Sequence, residues 1–147
     1  MATNMYKKYT EAKTREWAVP TGTQAGDLVV HDVSGQIGVA LTARGDSTAP
    51  ANVPGITGGT IPNGGAGNKP TGATVAVDGS WIFTITGAAA GETVAGTGTP
   101  AGTAVYLGDT AQEVTLTGDP ETDTLVGVID DGAIIGGRGP ILIGAVL

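Results

Sequence analysis

Residues 74–86 read TVAVDGSWIFTIT, and this stretch decides the class of fold. Val75 and Val77 alternate with small or polar residues, and Trp81, Phe83 and Ile85 recur at every second position after the Asp78-Gly79 pair, with Ile82 the one large apolar residue between them. A period of two marks half-buried strands, because successive side chains on a strand point to opposite faces. Glycine after aspartate accepts the positive φ of a tight turn, so the spacing predicts a hairpin joining Thr74–Val77 to Trp81–Ile85.

The same texture extends in both directions. Short β-branched runs predict strands over Glu16–Val19, Asp27–Val33, Gln36–Thr42, Ala73–Asp78, Trp81–Thr86, Thr103–Leu107, Glu113–Thr117, Thr124–Ile129 and Ile141–Val146. Ser34-Gly35, Gly108-Asp109 and Gly118-Asp119-Pro120 punctuate them. Strands at this spacing imply an all-β fold, a small β-sandwich or β-barrel, rather than βαβ units. The expected core is Val29, Ile37, Val39, Leu41, Val75, Val77, Trp81, Phe83, Ile85, Val105, Leu107, Leu125, Val128 and Ile129. Two halves echo weakly: Ala25-Gly26-Asp27-Leu28-Val29 precedes Ile37-Gly38-Val39, and Ala101-Gly102-Thr103-Ala104-Val105 precedes Val126-Gly127-Val128.

Composition agrees. The 147 residues include 26 Gly and 8 Pro, which counts against a helical bundle. The glycines follow no every-third-residue period, so a collagen helix is excluded. Hydrophobic residues are 40% and charged residues 14%, a balance that folds rather than stays open. The length fits one domain. There is no Cys, hence no disulfide and no thiolate chemistry, and no apolar run long enough to span a membrane. Met1 to Lys8 lacks the apolar stretch of a secretory signal, so the expected product is made in a cytoplasm.

Residues 45–72 stand apart, with eight Gly and four Pro and almost no charge. No ladder survives Pro50, Pro54, Pro62 and Pro70 at those intervals, so a long Gly/Pro-rich insertion is expected. Charge is segregated within the net −7. Residues 1–16 carry Lys7, Lys8, Lys13 and Arg15 against Glu11 and Glu16, while the remainder carries twelve acidic residues against Arg44, Lys69 and Arg138. This divides the chain into an N-terminal arm, 1–16, and a β-domain, 17–147. An acidic body without a basic, aromatic-interleaved stripe is not expected to bind nucleic acid.

Reactive chemistry is sparse. A lone His31, with no Gly-x-Ser-x-Gly elbow and no phosphate-binding Gly-x-x-x-x-Gly-Lys motif, supports neither a hydrolase nor a nucleotide site. Asp119, Glu121 and Asp123 alternate in a turn, but lack the glycine and terminal glutamate of a calcium loop. The expectation is a non-enzyme with no catalytic residues, no metal and no cofactor.

The order of motifs resembles a known family. Val19 to Val29 carries a Val-x-x-Gly-x-x-x-Gly-Asp-Leu-Val pattern, followed by Ile-Gly-Val-Ala at 37–40 and Val-x-Val-x-Gly-x-Trp-x-Phe at 75–83. Ala-Gly-x-Ala-Val-Tyr at 101–106, Leu-Val-Gly-Val at 125–128 and a closing apolar strand complete it. This is similar to the small capsid decoration, or cement, proteins of tailed bacteriophages, over residues 17–147 except the 45–72 insertion. The resemblance implies a structural protein on the outer surface of the virion that stabilises the assembled head, usually as a homotrimer at local threefold sites. Its partners are then the major capsid protein and itself.

Within that frame, the arm is expected to contact the capsid through Tyr6, Lys7, Lys8, Tyr9, Lys13, Arg15 and Trp17, with the aromatics as anchors. Subunit contacts are expected from Val53, Ile56 and Ile61 in the insertion and from Ile141, Ile143 and Leu147 at the apolar C-terminus. The alternative is a tail, fibre or surface-adhesion module that binds a host glycan or protein.

Overall fold

The computed structural model describes residues 5–7, 13–45 and 71–144. Among them the chain is all-β, with no helix. In chain order the strands are β1 (Met5–Lys7), β2 (Thr14–Ala18), β3 (Leu28–Val30), β4 (Ile37–Ala40), β5 (Gly72–Ala76) and β6 (Gly79–Thr86). These are followed by β7 (Gly91–Glu92), β8 (Ala104–Leu107), β9 (Glu113–Thr115), β10 (Leu125–Ile129), β11 (Ala133–Ile134) and β12 (Arg138–Ile143).

Five strands close into a barrel. The order β6-β12-β10-β8-β9 returns to β6 through a parallel pairing of Thr84–Thr86 with Glu113–Thr115. Closure leaves no free edge along these strands, which is how small all-β domains avoid edge-to-edge association. β1 runs antiparallel to the first half of β6, on the edge whose second half β9 occupies. A separate four-stranded sheet has the order β2-β5-β4-β3, and β7 and β11 form a two-stranded ribbon. The expected arm boundary at 16/17 falls inside β2.

The Asp78-Gly79 pair does not make a hairpin. β5 pairs with β2 and β4, whereas β6 pairs with β1, β12 and β9, so the chain turns a corner from one sheet to the other. The reason lies in burial. Val75 and Val77 belong to a cluster with Trp17, Val19, Val29, Ala40 and Ala73, while Trp81, Phe83 and Ile85 fill the barrel. Each strand therefore finds its apolar partners in a different layer. The corner keeps the backbone that the sequence implied: Gly79 has φ +100, and the buried Trp81 indole N–H donates to the Asp78 carbonyl at 3.0 Å.

The four-stranded sheet is apolar on both faces. One face gives Leu28, Ile37, Val39 and Ala76 to the barrel core, and the other carries the Trp17 cluster. Expected core residues Leu41, Leu107, Leu125 and Val128 are only half-buried. In β10 the cause is a register break between Leu125 and Gly127, which buries Val126 together with Ile129. Gly127 is fixed by close approach, since a Cβ there would lie 2.0 Å from the Leu142 carbonyl oxygen of β12.

β12 is a central strand yet contains Pro140, which has no N–H to give the ladder. Asp130 N–H donates to the Pro140 carbonyl at 2.9 Å, so the reciprocal bond would run from residue 140 to the Asp130 carbonyl. The buried Thr93 hydroxyl supplies that missing donor, 2.9 Å from the Asp130 carbonyl, and accepts the Gly132 N–H at 2.9 Å. One side chain thus repairs the ladder and ties β7 to the barrel. At the base of the insertion, Gly45 N–H donates to the Gly72 carbonyl (2.7 Å) and Thr71 N–H to the Gly45 carbonyl (3.1 Å).

Removing a partner from a buried carbonyl costs about 1–3 kcal/mol, so Thr93→Val should lower unfolding stability by that amount. Thr93→Ser should retain most of it. Urea unfolding of the two variants checks this, and equal stability of Thr93→Val and the parent would refute the repair.

Candidate interaction surface

Two groups of residues were expected to meet partners, and the structure separates them. Lys13 and Arg15 are exposed beside or on β2, which is an edge strand of the four-stranded sheet. Lys13 is fixed through its backbone: its N–H donates to the Asp78 carboxylate at 3.1 Å, and its carbonyl accepts the Val77 N–H at 3.0 Å. Tyr6 and Lys7 lie in β1, while Lys8 and Tyr9 lie outside the described residues.

Trp17 corrects the expectation. It faces inward with 5% of its surface exposed, packed in the cluster of Val29, Ala40, Ala73 and Val75. Arg15 and Trp17 lie on one face of β2, opposite Val75 and Ala73 of β5. Gly38 makes room for the indole: a Cβ there would lie 3.1 Å from the Trp17 ring and 2.3 Å from the Val75 side chain. Trp17 therefore reaches across to His31, with ring centroids 5.0 Å apart. A residue committed to this packing is a core residue and not a partner anchor.

Ile141 and Ile143 are corrected on the same ground. Both sit in the barrel cluster, at 0% and 2% exposure, because β12 is flanked by β6 and β10 and turns these side chains inward. Val53, Ile56, Ile61 and Leu147 lie outside the described residues.

Around the Trp17–His31 contact is an open hollow of about 540 Å³, lined by Thr14, Arg15, Glu16, Trp17, His31 and Gln36 among others. His31 is half-buried, and its Nδ1 lies 2.8 Å from the Ser34 hydroxyl and accepts the Ser34 N–H at 3.2 Å. This ties the imidazole to its own turn, consistent with an orienting and packing part. The acidic turn is likewise self-satisfied: Asp119 N–H donates to the Asp123 carboxylate (2.8 Å) and Glu121 N–H to that of Asp119 (2.9 Å). Among the described residues no group of three or more His, Asp or Glu is placed to hold a metal ion, and no helix is long and apolar enough to cross a membrane.

The described surface carries exposed cations at Lys13 and Arg15 and exposed carboxylates at Asp109, Asp119, Glu121, Asp123 and Asp131. Sequence periodicity missed the burial of Trp17, whose Thr-Arg-Glu-Trp-Ala setting carries no alternation. The one available signal was the glycine at 38, which leaves space for a ring on its own face. Comparison with family models, with curated proteins and with solved structures finds no match.

Truncating a buried Trp costs about 3–5 kcal/mol, so Trp17→Ala should lower the unfolding free energy by that order. Calorimetry or urea unfolding reads this directly. A variant as stable as the parent would return Trp17 to the surface.

Proposed function

We propose that this chain is a structural virion protein that binds the outer surface of a tailed-phage capsid and stabilises the assembled head. It acts as a homotrimer at local threefold positions, with the major capsid protein as its partner. The observation that carries the reading is the division of charge over the fold. The basic residues at the N-terminus lead into an edge strand that presents Lys13 and Arg15, while the barrel's exposed turns are acidic.

Such a division suits a body that faces solvent and docks through one side. Opposite potentials at a contact steer and orient association, and like charge elsewhere disfavours wrong orientations. Reinforcement of a lattice asks for many modest contacts repeated over many copies, and repetition multiplies weak affinities through effective concentration. The motif order across residues 17–147, outside the 45–72 insertion, supports the same reading, as does an inventory with no catalytic motif. In this reading Tyr6, Lys7, Lys8, Tyr9, Lys13 and Arg15 form the capsid contact. Val53, Ile56, Ile61 and Leu147 remain the proposed subunit contact.

The test is cosedimentation of the purified protein with expanded heads that lack it, followed by cryo-electron microscopy of the decorated particles. Density at local threefold positions is expected. The Lys13→Glu/Arg15→Glu variant should bind heads about tenfold more weakly, equivalent to about 1.4 kcal/mol, while unfolding at the parent's urea midpoint. No density on heads, together with binding to whole host cells, would replace this reading with that of a tail or adhesion module.

A further inference from the structure

β3 is the other edge strand of the four-stranded sheet, and its free side is built differently from that of β2. The Asp27 carbonyl accepts the Ala40 N–H at 2.8 Å, and His31 N–H donates to the Gln36 carbonyl at 2.8 Å. Residues 27, 29 and 31 therefore direct their backbone groups toward β4, and the alternation of an antiparallel ladder turns those of Leu28 and Val30 outward. The Leu28 N–H is taken by the Ala111 carbonyl at 2.6 Å. No backbone bond among the described residues reaches the Val30 N–H from that side.

Val30 instead borders a groove of about 470 Å³ between β3 and the turn that follows β8. Leu28, Val30 and Leu107 give it an apolar lining, and the exposed Asp32 and Asp109 stand along it. Asp27 also borders it, with its carboxylate already accepting from the Gln24 N–H (2.9 Å) and the Gln112 side-chain amide (3.0 Å). No lysine or arginine lines the groove. A strand edge open at Val30, past the Leu28–Ala111 bond, an apolar lining and flanking carboxylates suit an extended, basic segment. Its backbone pairs with the open groups of Val30, and alternate side chains reach the lining and the acids.

We propose that this groove takes an extended lysine- or arginine-bearing segment of a different protein, added as a further strand on β3. A different protein is indicated because the described part of the chain's own basic stretch has its backbone paired elsewhere. Met5–Lys7 pairs with β6, Lys13 is held by Val77 and Asp78, and Arg15 lies in β2. The proposal stands independently of the capsid reading.

The test titrates the isotope-labelled full chain with the peptide acetyl-Thr-Lys-Val-Lys-Thr-amide and follows backbone amide resonances. Shifts at Val30, Asp32 and Asp109 are expected, with affinity falling as salt rises. Asp32→Asn/Asp109→Asn should bind several-fold more weakly. Methylating alternate backbone nitrogens of the peptide keeps its charge but removes its ladder donors, and should weaken binding about tenfold. That control needs no change to the protein, so it holds whether or not a substituted chain folds. The proposal is overturned by equal binding of the methylated peptide, by absence of shifts at Val30, or by shifts confined to Gly79–Trp81. Tighter binding of a peptide with this chain's residues 2–13 would likewise overturn it, in favour of a second copy.

Discussion

A sheet that is apolar on both faces has to be covered on both, and a four-stranded sheet is too small to do this alone. Here β2-β5-β4-β3 turns Leu28, Ile37, Val39 and Ala76 into the barrel core and draws Trp17 across its other face. The corner at Asp78-Gly79, the missing Cβ at Gly38 and the position of His31 all follow from that requirement. A hairpin between β5 and β6 would have put Val75 and Trp81 on one sheet and left one of the two clusters without a lid. Burying a large apolar side chain is worth about 1.5–3 kcal/mol, which outweighs the convenience of pairing sequence neighbours.

Much of the fold was legible in the sequence because period-two alternation reports a strand wherever one face is buried. Val75, Val77, Trp81, Phe83 and Ile85 are buried as their spacing implied. Pairing was not legible, since alternation says which face is inside and not inside what. The short strands were invisible for a related reason. Gly91–Glu92 and Ala133–Ile134 are too brief to show a period, and they exist because the Thr93 hydroxyl holds the Asp130–Gly132 turn that follows β10. Pro140 argues locally against a central strand. Only a threonine far away in the chain makes it tolerable there.

The interaction surface divides in the same way. Charge is written directly in the sequence, and Lys13 and Arg15 are exposed. Aromatic and apolar residues are ambiguous, because the same side chain serves a core or a partner. Trp17, Ile141 and Ile143 went to the core. The β3 groove was beyond sequence reasoning altogether. It depends on the turn after β8 coming alongside an edge to which it is not adjacent in the chain.

The insertion between β4 and β5 leaves and re-enters the fold at one point, where Gly45 is bonded to both Thr71 and Gly72. The clasp holds the two ends of the insertion together through backbone atoms alone, whatever side chains stand between them. Closing a flexible loop costs only about 0.6 kcal/mol more for each doubling of its length. The Gly45–Thr71–Gly72 clasp is therefore a natural junction at which a connection of another length could be joined to the β-domain.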